Sequence, residues 1–377
     1  MKILSVIILF FASSICYAGE KLTVKSMSYI GKTQGSGTVV AADDEFTIPF
    51  IYSKNKDVAE RINNFLFISQ FGIMAPNEYS KHFGKETTIG GTVSQNFSVV
   101  QNNGRVLVLK FTSEGCGAYC EEYSSYYTFD ADTGDKISPD DLFNESGKKV
   151  LAKRIINYRN SLYRKQIKLL KKELNNFGQK KAGTQEINEE FEKDIYERIE
   201  LNEGCIKDVS AYKFYYDYFN ILNFSFNTNS ADIITQRCSP HIVRALDDVG
   251  EITMTIPYNE LKPYFTDYGR SFFLNEPKKK YTKSVYRILT GKLGGQILIT
   301  MLLSKESANS FSGVYFYNKY GKAIKLSGTV SGDNLQLKEY AEDETTVTAE
   351  INLKIIKNKL IGDWNSGNKS IPIELNL

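Results

Sequence analysis

Two histidines are the residues of this 377-residue chain best suited to proton transfer. His241 follows Ser239 by two positions and precedes Asp247 and Asp248, so a carboxylate could orient an imidazole beside a hydroxyl. No G-x-S-x-G motif accompanies Ser239, and His82 stands alone in the sequence. A cell-wall hydrolase that uses His241 is therefore an alternative hypothesis and not the leading one.

Neighbouring carboxylates form a second set of candidates, at Glu121-Glu122 and at Asp140-Asp141. Glycoside hydrolases use two carboxyl groups that flank the scissile bond. Adjacent positions on a strand point to opposite faces, so neither pair makes a facing couple. We therefore expect a protein that is not an enzyme and that uses no cofactor.

Four cysteines follow the N-terminal apolar segment, namely Cys116, Cys120, Cys205 and Cys238. An even number in an exported chain predicts two disulfides, for which three pairings are possible. We expect the sequence-local pairing, Cys116 with Cys120 and Cys205 with Cys238, with loop-closure contributions of about 2 and about 4 kcal/mol. A metal site is the alternative, but the chain has only two histidines and its cysteines lack the close paired spacing of thiolate sites, so we expect no metal.

Residues 1–18 have the pattern of a cleavable signal peptide. Lys2 precedes an apolar run from Ile3 to Ala12, and small residues lead to Ala18, after which we expect cleavage. The run is shorter than the roughly 20 residues that span a bilayer, and no later run reaches that length. A periplasmic or secreted protein without a transmembrane segment in the mature chain follows. The net charge of +3 does not suggest a nucleic-acid partner.

Two oppositely charged helices are predicted in the middle of the chain. Apolar residues at helical spacing indicate a helix over 147–174 with Ser146 as its N-cap, and its other face is basic. A second, acidic helix is predicted over 185–201. One hypothesis is a helical hairpin whose charges neutralise each other. The other is a basic surface for an anionic glycan or polymer, with Lys168, Lys171 and Lys172 as binding residues.

The remaining segments predict an α+β fold followed by an all-β unit. Hairpins at 102–104 and 132–134 indicate an antiparallel sheet with packed helices. Short β runs at 284–289, 296–303, 311–318, 323–330, 334–339, 345–353, 359–364 and 370–375 predict a small up-and-down barrel or curved sheet. The predicted organisation is a signal peptide over 1–18, an α+β domain over 19–270, a linker over 271–282 and the β domain over 283–377.

The chain from about residue 20 to residue 266 resembles a known family. The segments that carry the likeness are 48–51 with the following helix, the glycine- and cysteine-containing loop with its aromatic strand and turn at 115–143, and TIPYNELKPY at 255–264. They are similar to the extracytoplasmic domain of RsiV-type anti-sigma factors, which bind lysozyme, and to the accessory domain of PdaC-type peptidoglycan deacetylases. In the family loop a histidine stands where this chain has Tyr119. The last strands resemble calycin-like barrels only in general architecture.

What this resemblance implies is a recognition module. Our leading hypothesis is a non-catalytic exported binding protein of the bacterial envelope that recognises a lysozyme-like wall hydrolase or peptidoglycan, as an inhibitor or a receptor. Tyr119, on the loop that the Cys116–Cys120 disulfide would close, would be the anchor residue for the partner, and Glu121 and Glu122 would face a basic partner. The alternative is a small-molecule or lipid carrier that works through the C-terminal barrel.

Overall fold

A computed structural model of the chain describes residues 20–32, 46–88, 92–116, 120–180, 185–208, 218–219, 221–277, 287–306, 309–357 and 359–377. Strands before the barrel are β1 (Thr23–Lys32), β2 (Thr47–Tyr52), β3 (His82–Thr88), β4 (Thr92–Asn102), β5 (Val106–Cys116), β6 (Cys120–Asp130), β7 (Lys136–Ile137), β8 (Asn223–Phe226), β9 (Ser230–Thr235) and β10 (Ile252–Pro257). Helices are α1 (Lys56–Phe71), α2 (Pro139–Leu142), α3 (Glu145–Lys180), α4 (Gln185–Asp208), α5 (Tyr258–Leu261) and α6 (Asp267–Phe273), with 3-10 turns at His241–Leu246 and Lys262–Tyr264. The predicted signal peptide lies outside the described residues.

The described strands before the barrel form three sheets, which with the packed helices confirm the α+β prediction. Their strand orders are β2-β1-β3, β4-β5-β6-β7 and β10-β9-β8. All pairings within them are antiparallel except that of β1 with β3, which is parallel. The helical hairpin of α3 and α4 is inserted between β7 and β8.

The four-stranded sheet is the middle layer of this domain. Four consecutive residues of β5, Val106 to Leu109, are fully buried, which requires cover on both faces of the strand. Leu107 and Leu109 pack in a core with α1 and the first sheet, while Val106 and Val108 pack in a second core with α3 and β8–β10. The base of the β5–β6 hairpin is therefore fixed from both sides.

Turns on either side of this hairpin form where the sequence predicts them. Gly104 and Gly134 have φ angles of 81° and 76°, in the left-handed region that favours glycine. A Cβ at Gly134 would also lie 2.5 Å from the Val58 carbonyl oxygen, so the turn packs directly against α1. These two turns set the registers of β4 with β5 and of β6 with β7.

Helix α3 begins two residues earlier than predicted, and Ser146 does not cap it. The Asn144 side-chain oxygen accepts from the Gly147 backbone N–H at 2.8 Å, which is the geometry of an N-cap three residues before the donor. Ser146 instead donates its hydroxyl to the same Asn144 oxygen at 2.7 Å. Serine and asparagine can both serve as N-caps, but the helix begins at Glu145, so Asn144 occupies the cap position.

The C-terminal strands close into a barrel. They are β11 (Arg287–Leu293), β12 (Ile297–Lys305), β13 (Ser310–Tyr317), β14 (Ala323–Ser331), β15 (Asn334–Tyr340), β16 (Val347–Ile356), β17 (Lys359–Ser366) and β18 (Lys369–Asn376). Each strand pairs antiparallel with the next, and β11 pairs with β18, which confirms the up-and-down barrel. On its outer wall, Ile288, Leu302 and Phe316 pack into the core that contains α1.

Among the described residues, no helix has both the length and the apolar character that crossing a bilayer requires.

Candidate functional site

Both disulfides form in the predicted local pairing. Cys116 and Cys120 are bonded with their Cα atoms 4.0 Å apart, and Cys205 and Cys238 with theirs 5.6 Å apart. The first joins the last residue of β5 to the first residue of β6, so it closes the tip of the hairpin. The second ties the end of α4 to the segment after β9. Tyr119, the predicted anchor, lies outside the described residues.

The register of the hairpin places two carboxylates directly opposite each other. Glu114 of β5 pairs with Glu122 of β6, two positions from the disulfide pair. Closely spaced and widely spaced residue pairs alternate along an antiparallel ladder. The disulfide pair is closely spaced, so the Glu114–Glu122 pair, two positions away, is closely spaced as well, and its side chains lie near each other on one face. Neither carboxylate has an ion-pair partner among the described residues. Sequence analysis identified Glu122 but missed Glu114, because only the register brings them together.

Glu121, the other predicted carboxylate, is already engaged inside the protein. It forms an ion pair with Arg244 and lies 3.7 Å from the Nε of Arg237. Both arginines come from the segment that follows β9, far along the chain. Glu121 therefore holds this segment against the hairpin and has a neutralising partner, unlike Glu122.

The face that carries Glu114 and Glu122 continues inward as a polar strip. Thr112 pairs with Ser124, and Lys110 pairs with Tyr126. The pKa of the Tyr126 phenol is raised, first by burial and then by the negative charges of Glu251 and Asp232. We call Glu114, Glu122, Thr112, Ser124 and Tyr126 the acidic hairpin face. Lys110, at its inner end, is its half-buried cation.

Tyr123 is an exposed aromatic residue on the other face of the same hairpin. Its side chain is 49% exposed, and its hydroxyl lies 2.9 Å from the Thr92 hydroxyl on β4. The hydrogen bond restrains the ring while leaving it accessible. The sequence indicates only an aromatic strand in this segment, and it does not show that the Tyr123 ring is accessible.

Most of the basic residues of α3 lie on one exposed side, and two turn inward. The amine of Lys148 is buried between Asp140 and Glu145, at 2.7 and 2.9 Å. Arg159 is 3% exposed and donates to the Cys205 carbonyl at 2.7 Å. Lys168, Lys171 and Lys172 are exposed, as the binding hypothesis requires.

Helix α4 packs on the opposite side of α3 through apolar residues. Leu170 is buried against Ile195 and Ile199. Lys171 of α3 also forms an ion pair with Glu203 of α4, at 3.9 Å. Apolar contacts therefore join the two helices, and long polar side chains lie outside this apolar seam. Whether the charges of the two helices neutralise each other or bind an anionic partner stays a prediction.

Three of the groups considered for catalysis, Ser239, Asp247 and Asp248, have structural partners. Ser239 is 3% exposed and donates its hydroxyl to Asp247 at 2.6 Å, while Asp248 pairs with Arg198. The His241 side chain lies outside the described side chains. Asp140 and Asp141 lie on helix α2 and not on a strand, which corrects the assumption made for them.

No group of three or more potential ligand residues for a metal occurs in the described parts of the chain.

The barrel interior is a packed core. The side chains that form this core are each at most 3% exposed. They are mainly leucines and isoleucines: Leu289, Leu293, Ile299, Met301, Leu303, Phe311, Tyr315, Leu326, Leu335, Leu337, Ile351, Leu353, Leu360, Ile373 and Leu375. A ligand inside the described barrel would have to displace these side chains, which weakens the carrier hypothesis.

A cleft of about 980 Å³ lies instead between α1 and the outer wall of the barrel. Its charged lining mixes Asp57 and Glu374 with Arg61, Lys292 and Lys359. Because both signs occur on the same walls, the lining does not select a class of ligand.

Comparison with known proteins gives only distant likeness. No family model matches the chain, and no curated protein matches it. A crystal structure of a member of the DUF3298 family from Bacteroides fragilis has 12% sequence identity and a TM-score of 0.37, and the match covers 68% of this chain and 98% of that chain. The comparison names no function, and the resemblance to RsiV-type and PdaC-type domains stays a prediction.

Proposed function

We propose that this protein is an exported, non-catalytic binding protein that takes a partner with a basic surface on its acidic hairpin face. The observation that supports the proposal most directly is the cross-strand pair Glu114 and Glu122, neither of which has an ion-pair partner among the described residues. Like charges placed directly opposite each other destabilise a sheet, by roughly 0.2–1 kcal/mol. A cationic group of a partner would remove this repulsion, and the free energy released would increase the affinity of binding.

The disulfide contributes by holding the hairpin ready for binding. Strand β4 supports β5 as far as Gly115, but charge repulsion between Glu114 and Glu122 would still fray the β5–β6 pair near its tip. The Cys116–Cys120 bond closes the ladder next to the repelling pair. The partner then meets a face that is already ordered, and binding costs less conformational entropy.

The partner class that fits both the charge of this face and the resemblance over residues 20–266 is a lysozyme-like wall hydrolase. In this proposal the protein acts as an inhibitor or a receptor. Peptidoglycan, which is recognised through its sugars and peptides, does not by itself explain two unneutralised carboxylates on one face.

The test is a binding titration of the oxidised chain against a purified lysozyme by isothermal calorimetry. The double variant Glu114→Gln and Glu122→Gln should weaken binding at least about tenfold, mostly through lost charge attraction. A matched control removes two exposed carboxylates from the barrel, Glu350→Gln and Asp363→Asn, and should bind as the parent does. Equal binding by both double variants, or no binding by the parent, would contradict the proposal.

A further inference from the structure

Helix α3 carries a stripe of exposed cations that no other described part of the molecule neutralises. The cationic stripe consists of Lys153, Arg164, Lys165, Lys168 and Lys172, all exposed. None of the five has an ion-pair partner among the described residues. No acidic residue occurs in the sequence between Glu145 and Glu173. Apart from Glu260, which pairs with Arg154 near the start of the stripe, the surface therefore carries one sign of charge over about 28 Å, at 1.5 Å per residue.

Large apolar side chains are exposed along the same side of the helix. Tyr158 is 40% exposed and Leu169 is 51% exposed. The order Tyr158, Lys165, Leu169 and Lys172 has spacings of seven, four and three residues, which places all four on one side of a helix. Val150 lies on this side as well and is 42% exposed. Apolar and cationic groups thus alternate on a single surface.

We propose that this side of α3 lies on the surface of an anionic phospholipid bilayer. Lysine and arginine are attracted to anionic headgroups, while tyrosine and leucine can enter the boundary between headgroups and acyl chains. A soluble polyanion would use the cations but would gain nothing from the exposed apolar groups. The alternating surface therefore fits a bilayer better than it fits a free polymer.

The rest of the helical hairpin is compatible with this orientation. Helix α4 packs on the side of α3 that contains Leu170, opposite the stripe. Exposed carboxylates such as Glu190 and Glu200 belong to α4 and not to the helix that carries the cationic stripe. The proposed surface would place the protein on the envelope membrane and is independent of the partner site on the acidic hairpin face.

The test is co-sedimentation of the oxidised, exported chain with vesicles of phosphatidylcholine, with and without phosphatidylglycerol. The parent should sediment with the anionic vesicles and be released by salt. The variant Lys165→Gln, Lys168→Gln and Lys172→Gln should lose at least about tenfold in partitioning. A control with the same change of charge on the barrel, Lys338→Gln, Lys354→Gln and Lys369→Gln, should partition as the parent does.

A further variant separates a bilayer from the other possible occupants. Leu169→Ser should weaken vesicle binding several-fold and leave binding to soluble polyphosphate unchanged. The proposal is overturned if the parent does not sediment with anionic vesicles, if Leu169→Ser has no effect on sedimentation, or if sedimentation without vesicles shows that the stripe binds a second copy of the chain. Lysozyme binding, measured separately, tests the other site.

Discussion

Replacing Glu339 would test whether the polar cluster in the barrel wall is a structural network or a free binding group. Glu339 is 8% exposed and accepts from the Trp364 indole N–H at 2.8 Å and from the Thr348 hydroxyl at 2.7 Å. The Tyr315 hydroxyl donates to the same carboxylate. The pKa of the Tyr315 phenol is raised, first by burial and then by this hydrogen bond to Glu339, so the phenol stays a donor.

The expected magnitudes follow from what each variant leaves unpaired. In Glu339→Gln, the amide oxygen can still accept from Trp364 and Tyr315, and the amide nitrogen can donate to the Thr348 hydroxyl. The loss is that of charge assistance, about 1 kcal/mol. In Glu339→Ala, the Trp364 indole N–H, which can only donate, is left without an acceptor, and the Thr348 hydroxyl loses its partner, while the Tyr315 hydroxyl keeps its contact with the Tyr317 hydroxyl at 3.2 Å. We expect about 3–5 kcal/mol of lost stability.

The assay is denaturant unfolding followed by tryptophan fluorescence. Trp364 is the only tryptophan of the chain, so the signal reports on the barrel itself. The free energy of unfolding should fall in the order parent, Glu339→Gln, Glu339→Ala. If Glu339→Ala costs less than about 1 kcal/mol, the carboxylate is not needed by the fold and the structural interpretation is wrong.

Three further predictions concern acid, alkali and reduction. Hydrogen bonds from Thr346 lower the pKa of Asp343 to about 2. The stability that they give is therefore present above the ordinary pKa of 3.8 and is lost as pH falls towards 2. In a plot of the barrel's melting temperature against pH, Asp343→Ala should reduce the loss over this acidic range. Burial, and then the negative charge of Asp130, raises the pKa of Tyr268 above 10.0. The stability gained by burying the neutral phenol is therefore complete below pH 10 and is lost as pH rises further. Tyr268→Phe should reduce that alkaline slope in denaturant titrations. Replacing Cys205 and Cys238 by serine should cost about 4 kcal/mol, against about 2 for the hairpin disulfide, and equal losses in urea unfolding would refute the loop-length argument.

Elements that depend on local sequence were the most predictable. The eight barrel strands appear close to their predicted positions, because each hairpin joins neighbouring segments through a short turn. The same reason explains the two disulfides, whose loops close locally. The helix at Glu145–Lys180 was predicted from apolar spacing, but its cap was not, since Asn144 and Ser146 are equally suitable by residue type.

Features that depend on register and on long-range packing were not predictable. Glu121 and Glu122 look alike in the sequence, yet only Glu121 meets arginines, which come from the segment after β9. Glu114 became part of the candidate site only because it lies opposite Glu122 in the ladder. Composition cannot supply either fact.

The α+β fold class, the barrel and the pairing of the cysteines could be predicted because periodicity and turns act over a few residues. Which charges remain available to a partner could be seen only once the chain was folded. Lys148 and Arg159 are buried with partners while Lys168 and Lys172 are exposed, although all four belong to one basic helix. The physical reason is that the free energy of a charged side chain depends on what packs against it, and those contacts join segments that are distant in the chain.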